Sequence, residues 1–266
     1  MAQGGGARRL DDCNAVSGRP ELAVILAAGR GTRMMTEAAA AQGLIAAQRD
    51  AAAQGHKALM PIGGRPFLAW VVDAVARAGF HEVCLVMAPE AAIPRALSLP
   101  ARIAVQSTPR GTADAVLAAE SVVGSRPFTV INGDNWYPPD ALRALREVPA
   151  PATIGFRQAE RVEAFALMTT DEAGCLAEII EKPEATTRRR LGPTARVSMT
   201  CWSFTSAIFD ACRAIAPSTR GELELPDAVR LLVREGTCVR VLAHDGMVLD
   251  LSRADDVTVV ATQLGA

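Results

Sequence analysis

The stretch Leu22-Ala-Val-Ile-Leu-Ala-Ala-Gly-Arg-Gly-Thr-Arg-Met34 decides how the rest of the chain is read. Leu22 to Ala28 is a short apolar run, the pattern of a strand buried on both faces. It stops at Gly29. Glycines in the following turn allow positive φ and let a ligand reach the backbone without meeting a Cβ. Successive backbone N–H groups in such a turn form a nest for an anion. Arg33 adds a fixed charge whose fork of donors matches phosphate. Strand, glycine turn and arginine together suit a polyphosphate. The turn is not a Walker A loop, because no Gly-Lys-Ser/Thr follows, and it lacks the third glycine of the dinucleotide fingerprint. Taken alone, it is equally a tight turn in a βα unit.

Composition narrows the setting. The chain has 266 residues, enough for one α/β domain or a domain with a small appendage. A chain this long buries about 70–75% of the surface exposed when unfolded. Its net charge of −1, with both signs mixed, leaves no electrostatic footprint for nucleic acid. No apolar run approaches the ~18 residues of a membrane span, and the N-terminus lacks an apolar signal core. The six cysteines form no Cys-x-x-Cys pair and the three histidines show no zinc spacing. They read as reduced thiols in a cytoplasmic protein.

Downstream, strands and helices alternate. Strands are predicted over 82–88, 102–106 and 128–132, with helices from Pro66 to Ala78, from Thr112 (as N-cap) and from Pro139 to Val148. This βαβ rhythm implies a parallel sheet with helices on both faces. After residue 150 shorter strands follow at 152–157, 164–169, 175–180 and 196–204, with a hairpin across 170–174 and an arginine-rich loop at 188–190. Helices at 207–215 and 226–235 and strands at 238–243 and 247–250 complete the reading. Residues 1–20 read as a loose leader. The alanine-rich stretch 35–56 reads as either helix or flexible surface insertion.

Four loops fall at the carboxyl ends of predicted strands: 29–33, 107–112, 133–135 and 248–252. Open α/β sheets bind ligands there. Asp134 follows Val130-Ile-Asn-Gly133, and a hard cation such as Mg²⁺ favours one or two carboxylates beside phosphate oxygens. Asp250 is a second candidate carboxylate. Lys57 stands at a polar-to-apolar junction, and Glu181-Lys182 is otherwise an ordinary surface ion pair.

Together these pieces resemble the sugar-1-phosphate nucleotidylyltransferases, most nearly the glucose-1-phosphate thymidylyltransferase type. The resemblance rests on Leu26-Ala-Ala-Gly-Arg-Gly-Thr-Arg-Met34, Lys57-Ala-Leu-Met-Pro61, Gln106-x-x-Pro-x-Gly-Thr-Ala113, Gly133-Asp-Asn-Trp-Tyr137, Glu181-Lys-Pro183 and Arg220-Gly-Glu-Leu-Glu-Leu-Pro-Asp227. It spans roughly residues 22–262 and implies a single-domain Rossmann-like, three-layer α/β fold with a mixed, mostly parallel sheet. The implied reaction joins an NTP and a hexose 1-phosphate, releasing pyrophosphate, with Mg²⁺ as cofactor.

By that resemblance Arg33 and Lys57 are catalytic. Leu26, Ala28, Gly29, Gly31, Thr32, Gln106, Pro109, Gly111 and Thr112 hold the nucleotide. Asn135, Ala166, Glu181, Lys182, Met199, Thr200 and Arg220 hold the sugar phosphate, and Asp134 and Asp250 the metal. The segment Gly133-Asp-Asn leans to dTTP or UTP, while Gly111-Thr-Ala-Asp-Ala-Val116 is similar to ADP-glucose-forming enzymes. The sequence leaves guanylyl transfer and assembly into a homo-oligomer open; no nucleic acid or membrane partner is expected. It departs from the family at His56, where a proline is usual, at Ala166, where a glycine is usual, and around Asp250, which lacks the tryptophan and glycine of its segment. Those departures leave a non-catalytic nucleotide-sugar-binding protein on the same fold as an alternative. A glycosyltransferase would want Asp-x-Asp, which Asp134-Asn-Trp136 lacks.

Overall fold

A computed structural model describes residues 18–29, 31–38, 43–91, 97–157 and 162–266. Thirteen strands lie among them: β1 (Leu22–Leu26), β2 (Pro61–Ile62), β3 (Arg65–Pro66), β4 (Glu82–Met87), β5 (Ala101–Val105), β6 (Phe128–Asn132), β7 (Asn135–Trp136), β8 (Ala152–Phe156), β9 (Ala166–Thr170), β10 (Leu176–Ile180), β11 (Arg196–Phe204), β12 (Arg240–His244) and β13 (Leu249–Asp250). The helices are α1 (Thr32–Ala38), α2 (Ala46–Ala53), α3 (Phe67–Arg77), α4 (Thr112–Ala118), α5 (Glu120–Val123), α6 (Pro139–Glu147), α7 (Ala185–Leu191), α8 (Ala207–Ala214), α9 (Leu225–Arg234) and α10 (Asp256–Leu264).

Nine strands form one mixed sheet. One part of it, β5-β4-β1-β6, is wholly parallel. β11 then runs antiparallel to β6, β8 and β9, and β12 extends β8 in parallel. β1 is central, and alternation along it feeds two cores. Ala23 and Ile25 face the side packed with α3, α6 and α10; Leu22 and Val24 face α4, α8 and α9. This is the three-layer α/β architecture expected, and it needs an apolar residue at every position of β1 because both faces are covered.

Several local expectations change. The arginine-rich stretch 188–190, read as a loop, lies within helix α7, whose Arg190 pairs with Glu178. Thr112 does not cap α4: its hydroxyl accepts the Leu225 N–H at 2.9 Å instead. Residues 249–250 are not the end of a parallel strand but one arm of a two-stranded antiparallel ribbon with β7. The alanine-rich stretch carries helices α1 and α2, and Leu44 and Ala52 are buried in the core. Cys175 and Cys238 are joined by a disulfide, contrary to the reading of all six as thiols; Cys84, Cys201 and Cys212 are free and buried. The leader up to residue 17, Cys13, Arg30 and residues 39–42 lie outside the described residues. Among the described residues, no helix is long and apolar enough to cross a membrane.

Candidate active site

A cavity of about 530 Å³ opens at the carboxyl end of the parallel strands. One wall is the end of β1, Leu26 to Gly29, with Thr32 at the start of α1. The opposite wall is the 106–112 loop with Ala115, and Asn132, Asp134, Lys57, Ala58 and Glu222 complete the lining. Its size is that of a small-molecule site. Of the nine predicted nucleotide residues, all but Gly31 border it.

Each wall has a mechanical reason for its place. Gly31 is buried, its N–H donates to the Gly55 carbonyl at 3.0 Å, and a Cβ on it would collide with Lys57 Cγ. The turn thus lies directly against the Lys57 stem, which the resemblance alone did not imply. Gly29 differs. Its φ is not in the left-handed region, and a Cβ there would meet no atom within 4 Å among the described residues beyond its chain neighbours. The expectation that this glycine serves backbone freedom is therefore corrected: what it leaves open is space beside the cavity. Gly111, at φ +124°, packs on the Leu223 backbone so tightly that no Cβ fits. Ala113 N–H donates to the Leu223 carbonyl at 2.9 Å, and Leu223 N–H to the Arg110 carbonyl at 2.7 Å. The Arg220–Asp227 segment thereby braces the 106–112 loop.

At the cavity edge the Lys57 ammonium pairs directly with the Asp134 carboxylate. Burial alone would lower the Lys57 pKa. The charge and hydrogen bond of Asp134, with Asp250 behind it, outweigh burial and hold it above its usual value, while Arg33 pulls the other way. Arg33 is exposed on α1 and does not border the cavity, yet its charge reaches Lys57.

Asp250 faces Asp134 through the β7–β13 ribbon. Leu251 N–H donates to the Asp134 carbonyl at 2.8 Å. Asp250 Oδ1 accepts from Ser252 Oγ at 2.6 Å and from Asn135 Nδ2 at 3.1 Å; Asn132 Nδ2 in turn donates to Asn135 Oδ1 at 3.2 Å. Burial and the neighbouring Asp134 push the Asp250 carboxyl up to about 6, against the Ser252 hydrogen bond and the Lys57 charge. Two adjacent carboxylates supply hard oxygen donors, and Asp250 gains proton affinity beside Asp134, so this donor set fits a hard dication such as Mg²⁺. Asn135, expected at the sugar, is buried and committed to this network.

The remaining predicted sugar residues lie outside the cavity lining. Arg220 reaches Glu224 at 2.9 Å and Glu181 at 3.8 Å, and Lys182 lies 3.8 Å from Glu181. Burial raises the Glu181 pKa, against the pull of Lys182 and Arg220. Lys182 (φ +43°) and Thr200 (φ +51°) are, among the described residues, the two non-glycine positions in the left-handed region. Such backbone costs about 1–3 kcal/mol each and collects at functional sites. Tyr137, fully buried, holds the second: its hydroxyl lies 2.5 Å from the Met199 carbonyl and 3.1 Å from that of Thr200. Ala166 pairs with Ser198 across β9 and β11 and is buried. Sequence reasoning missed Tyr137, Ser252, Asn132 and Glu222, whose importance comes only from contacts made across the fold.

The nucleotidyl transferase family model matches residues 22–257. The chain belongs to the nucleotidyl transferase family. The expected kinship with the sugar-1-phosphate nucleotidylyltransferases holds, and the protein is a nucleotidyltransferase. The chain is 29% identical over 246 residues to the UTP–glucose-1-phosphate uridylyltransferase AglF of Haloferax volcanii, covering 88% of this chain and 92% of that one. It is 30% identical over 245 residues to a glucose-1-phosphate thymidylyltransferase of Streptomyces antibioticus, spanning 88% of this chain but 63% of the relative. In fold it is similar to a UDP-glucose pyrophosphorylase solved with UDP-glucose, with a TM-score of 0.72 at 17% identity, covering 92% of this chain and 98% of that one. A UTP-bound enzyme of Acinetobacter baumannii is also similar, with a TM-score of 0.69 at 17% identity, covering 92% and 93%.

Proposed function

We propose that this nucleotidyltransferase joins UTP or dTTP to a hexose 1-phosphate, giving the nucleoside diphosphate sugar and pyrophosphate. The observation that carries the reading is the Lys57–Asp134 pair at the edge of a cavity floored by the Gly29 turn. AglF and the thymidylyltransferase, whose names give UTP or thymidylyl transfer to glucose 1-phosphate, supply the substrate class.

In this reading a phosphate oxygen of the sugar phosphate attacks the α-phosphorus in line. The new P–O bond forms as the bond to pyrophosphate breaks. Both reactants are anions, so charge must be neutralised and the partners aligned. Alignment alone supplies about 7–11 kcal/mol in favourable cases. Backbone at Gly29 and Thr32 takes the triphosphate without a Cβ in the way. Lys57 puts its ammonium where donor and acceptor phosphates meet; one preorganised contact to developing charge is worth roughly 3–4 kcal/mol. Arg33 steadies the departing pyrophosphate from outside the cavity. Gln106, Pro109, Gly111 and Thr112 face the base. Glu181 accepts sugar hydroxyls, and Lys182 and Arg220 meet the sugar phosphate. Asp134 and Asp250 hold Mg²⁺, which when bound offsets phosphate charge. No covalent nucleophile is required. A cytoplasmic setting, where nucleoside triphosphates are at hand, accompanies the reading.

The test is pyrophosphate release with Mg²⁺ across a panel of NTPs and sugar 1-phosphates. Release with UTP or dTTP and a hexose 1-phosphate supports the reading. Tight nucleotide binding without release would leave a binding protein.

A further inference from the structure

Behind the cavity wall formed by the 106–112 loop lies a buried charged group that the mechanism does not use, Asp114. We propose that Asp114 is a positioning residue that fixes which end of the Gln106 amide a nucleobase meets, and so favours uracil or thymine over cytosine. This rests on reading the cavity as the nucleotide site.

A glutamine amide carries two N–H donors at one end and an acceptor oxygen at the other. Gln106 is 6% exposed and borders the cavity. Its Nε2 lies 2.8 Å from Asp114 Oδ2 and 3.1 Å from the Gly111 carbonyl. Both of those atoms only accept, so the nitrogen end is held there by chemistry. Asp114 is itself anchored: Arg110 Nε donates to its other oxygen at 3.0 Å, with Nη2 at 2.5 Å. With both N–H groups engaged, Gln106 has only Oε1 left to offer a ligand.

An acceptor at that point suits a base whose ring nitrogen carries a proton. Uracil and thymine carry one at N3. Cytosine presents a lone pair there instead, so two acceptors would face each other. An unpaired buried acceptor costs enough to set at least about a tenfold preference. Guanine also has a ring N–H, so the discrimination is between the pyrimidines.

Asp114→Asn separates this role from plain structural support. Arg110 only donates, so it keeps the oxygen of the introduced carboxamide. The carboxamide nitrogen then faces Gln106 Nε2, donor against donor, while the Gly111 carbonyl still favours the nitrogen end, so the Gln106 amide loses its single orientation. Removing Arg110 as well frees the introduced carboxamide to turn its own oxygen toward Gln106, which restores the original edge.

The experiment is equilibrium binding of UTP, CTP, dTTP and dCTP with Mg²⁺ and without sugar phosphate. It is run on the full chain, on Asp114→Asn and on the Arg110→Leu, Asp114→Asn double variant. The expected result is at least about a tenfold preference for the uracil and thymine nucleotides in the parent. That preference collapses in Asp114→Asn and returns in the double variant. A structural role would weaken all four nucleotides together and leave the ratio unchanged, which would overturn the proposal. So would a parent that binds the pairs alike, even if Asp114→Asn fails to fold. Failure of all four to bind overturns the nucleotide-site reading as well. Selective binding without pyrophosphate release would leave the role of Asp114 standing and remove only the catalytic reading.

Discussion

Lys57 and Asp134, 77 residues apart in the chain, meet side chain to side chain at the edge of one cavity. Lys57 is delivered by the segment after α2 and Asp134 by the loop after β6. The glycine turn after β1 holds the lysine stem between them. The pair is largely shielded, with 17% and 23% of the side chains exposed, so each charge depends on the other.

Lys57→Ala should therefore do two separable things. It leaves Asp134 beside Asp250 with no nearby ammonium, so the metal-free protein melts at a lower temperature. Added Mg²⁺ should restore the melting temperature. Turnover should stay depressed by about 10²–10³-fold, the usual loss when one preorganised charge contact is removed. Steady-state pyrophosphate release alongside a melt in Mg²⁺ and in EDTA checks both; near-parental turnover would count against Lys57.

Asp250 gives a pH signature. Its folded pKa, about 6, lies above the ordinary value of 3.8. Below about pH 4 the carboxyl is neutral in both states and costs nothing. Between about pH 4 and 6 the folded protein binds the proton more tightly than the unfolded chain, so stability falls as pH rises. Above about pH 6 the full cost stands, up to roughly 3 kcal/mol. Asp250→Asn in EDTA should thus be stabilised at about pH 7.5 and much less so at about pH 4.5, by denaturant melts. Mg²⁺ should raise the parent's melting temperature through mass action and the variant's far less.

Gly29→Ala is the cleanest probe of the phosphate turn. Among the described residues beyond its chain neighbours a methyl there meets no atom within 4 Å, and it needs no forbidden backbone. The melting temperature should be unchanged within about a degree, since surface changes of this kind stay within about 0.5 kcal/mol. KM for the nucleotide should rise tenfold or more. An unaltered KM would mean that no ligand approaches Gly29.

What could be read from the chain, and what could not, follows from how each feature is encoded. β1 was legible because burial on both faces demands an unbroken apolar run. The cavity's walls were legible because glycine and proline mark strand ends. Lys57 and Asp134 could be named singly, but their contact could not, since it depends on Gly31 seating the lysine stem. Ser252 falls in the segment around Asp250 that departs from the family pattern. Only the fold shows its hydroxyl bound to Asp250. Helix α7 was missed because Thr186, Thr187 and three arginines carry little apolar periodicity; one buried residue, Leu191, anchors it. The Cys175–Cys238 bridge was hidden by a separation of 63 residues.

That bridge predicts a labelling pattern. Alkylated while unfolded without reductant, the chain should be labelled at Cys84, Cys201 and Cys212 and not at Cys175 or Cys238, which label only after reduction. Removing the bridge by Cys175→Ser with Cys238→Ser should cost about 2–4 kcal/mol of stability. Labelling of Cys175 and Cys238 without reductant would show that the bridge is not formed.

The alanine-rich segment is part of the core. Leu44 and Ala52 are buried, and the Gly55 carbonyl just beyond α2 accepts the Gly31 N–H. Leu44→Ala should destabilise by about 2–5 kcal/mol, as buried leucines do, and should loosen the phosphate turn with it. A chemical melt together with nucleotide KM reads both effects; no change in stability would return this segment to the surface.

The central claim is that Lys57 and Asp134 together drive nucleotidyl transfer to a sugar phosphate. Its most direct test is single-turnover formation of nucleoside diphosphate sugar from UTP or dTTP, hexose 1-phosphate and Mg²⁺. It should be run with the parent, Lys57→Ala, Asp134→Ala and the double variant. The account predicts product with the parent and near-complete loss in all three variants, the double no worse than either single, as for residues acting as one unit. Product at the parental rate from either single variant would contradict it.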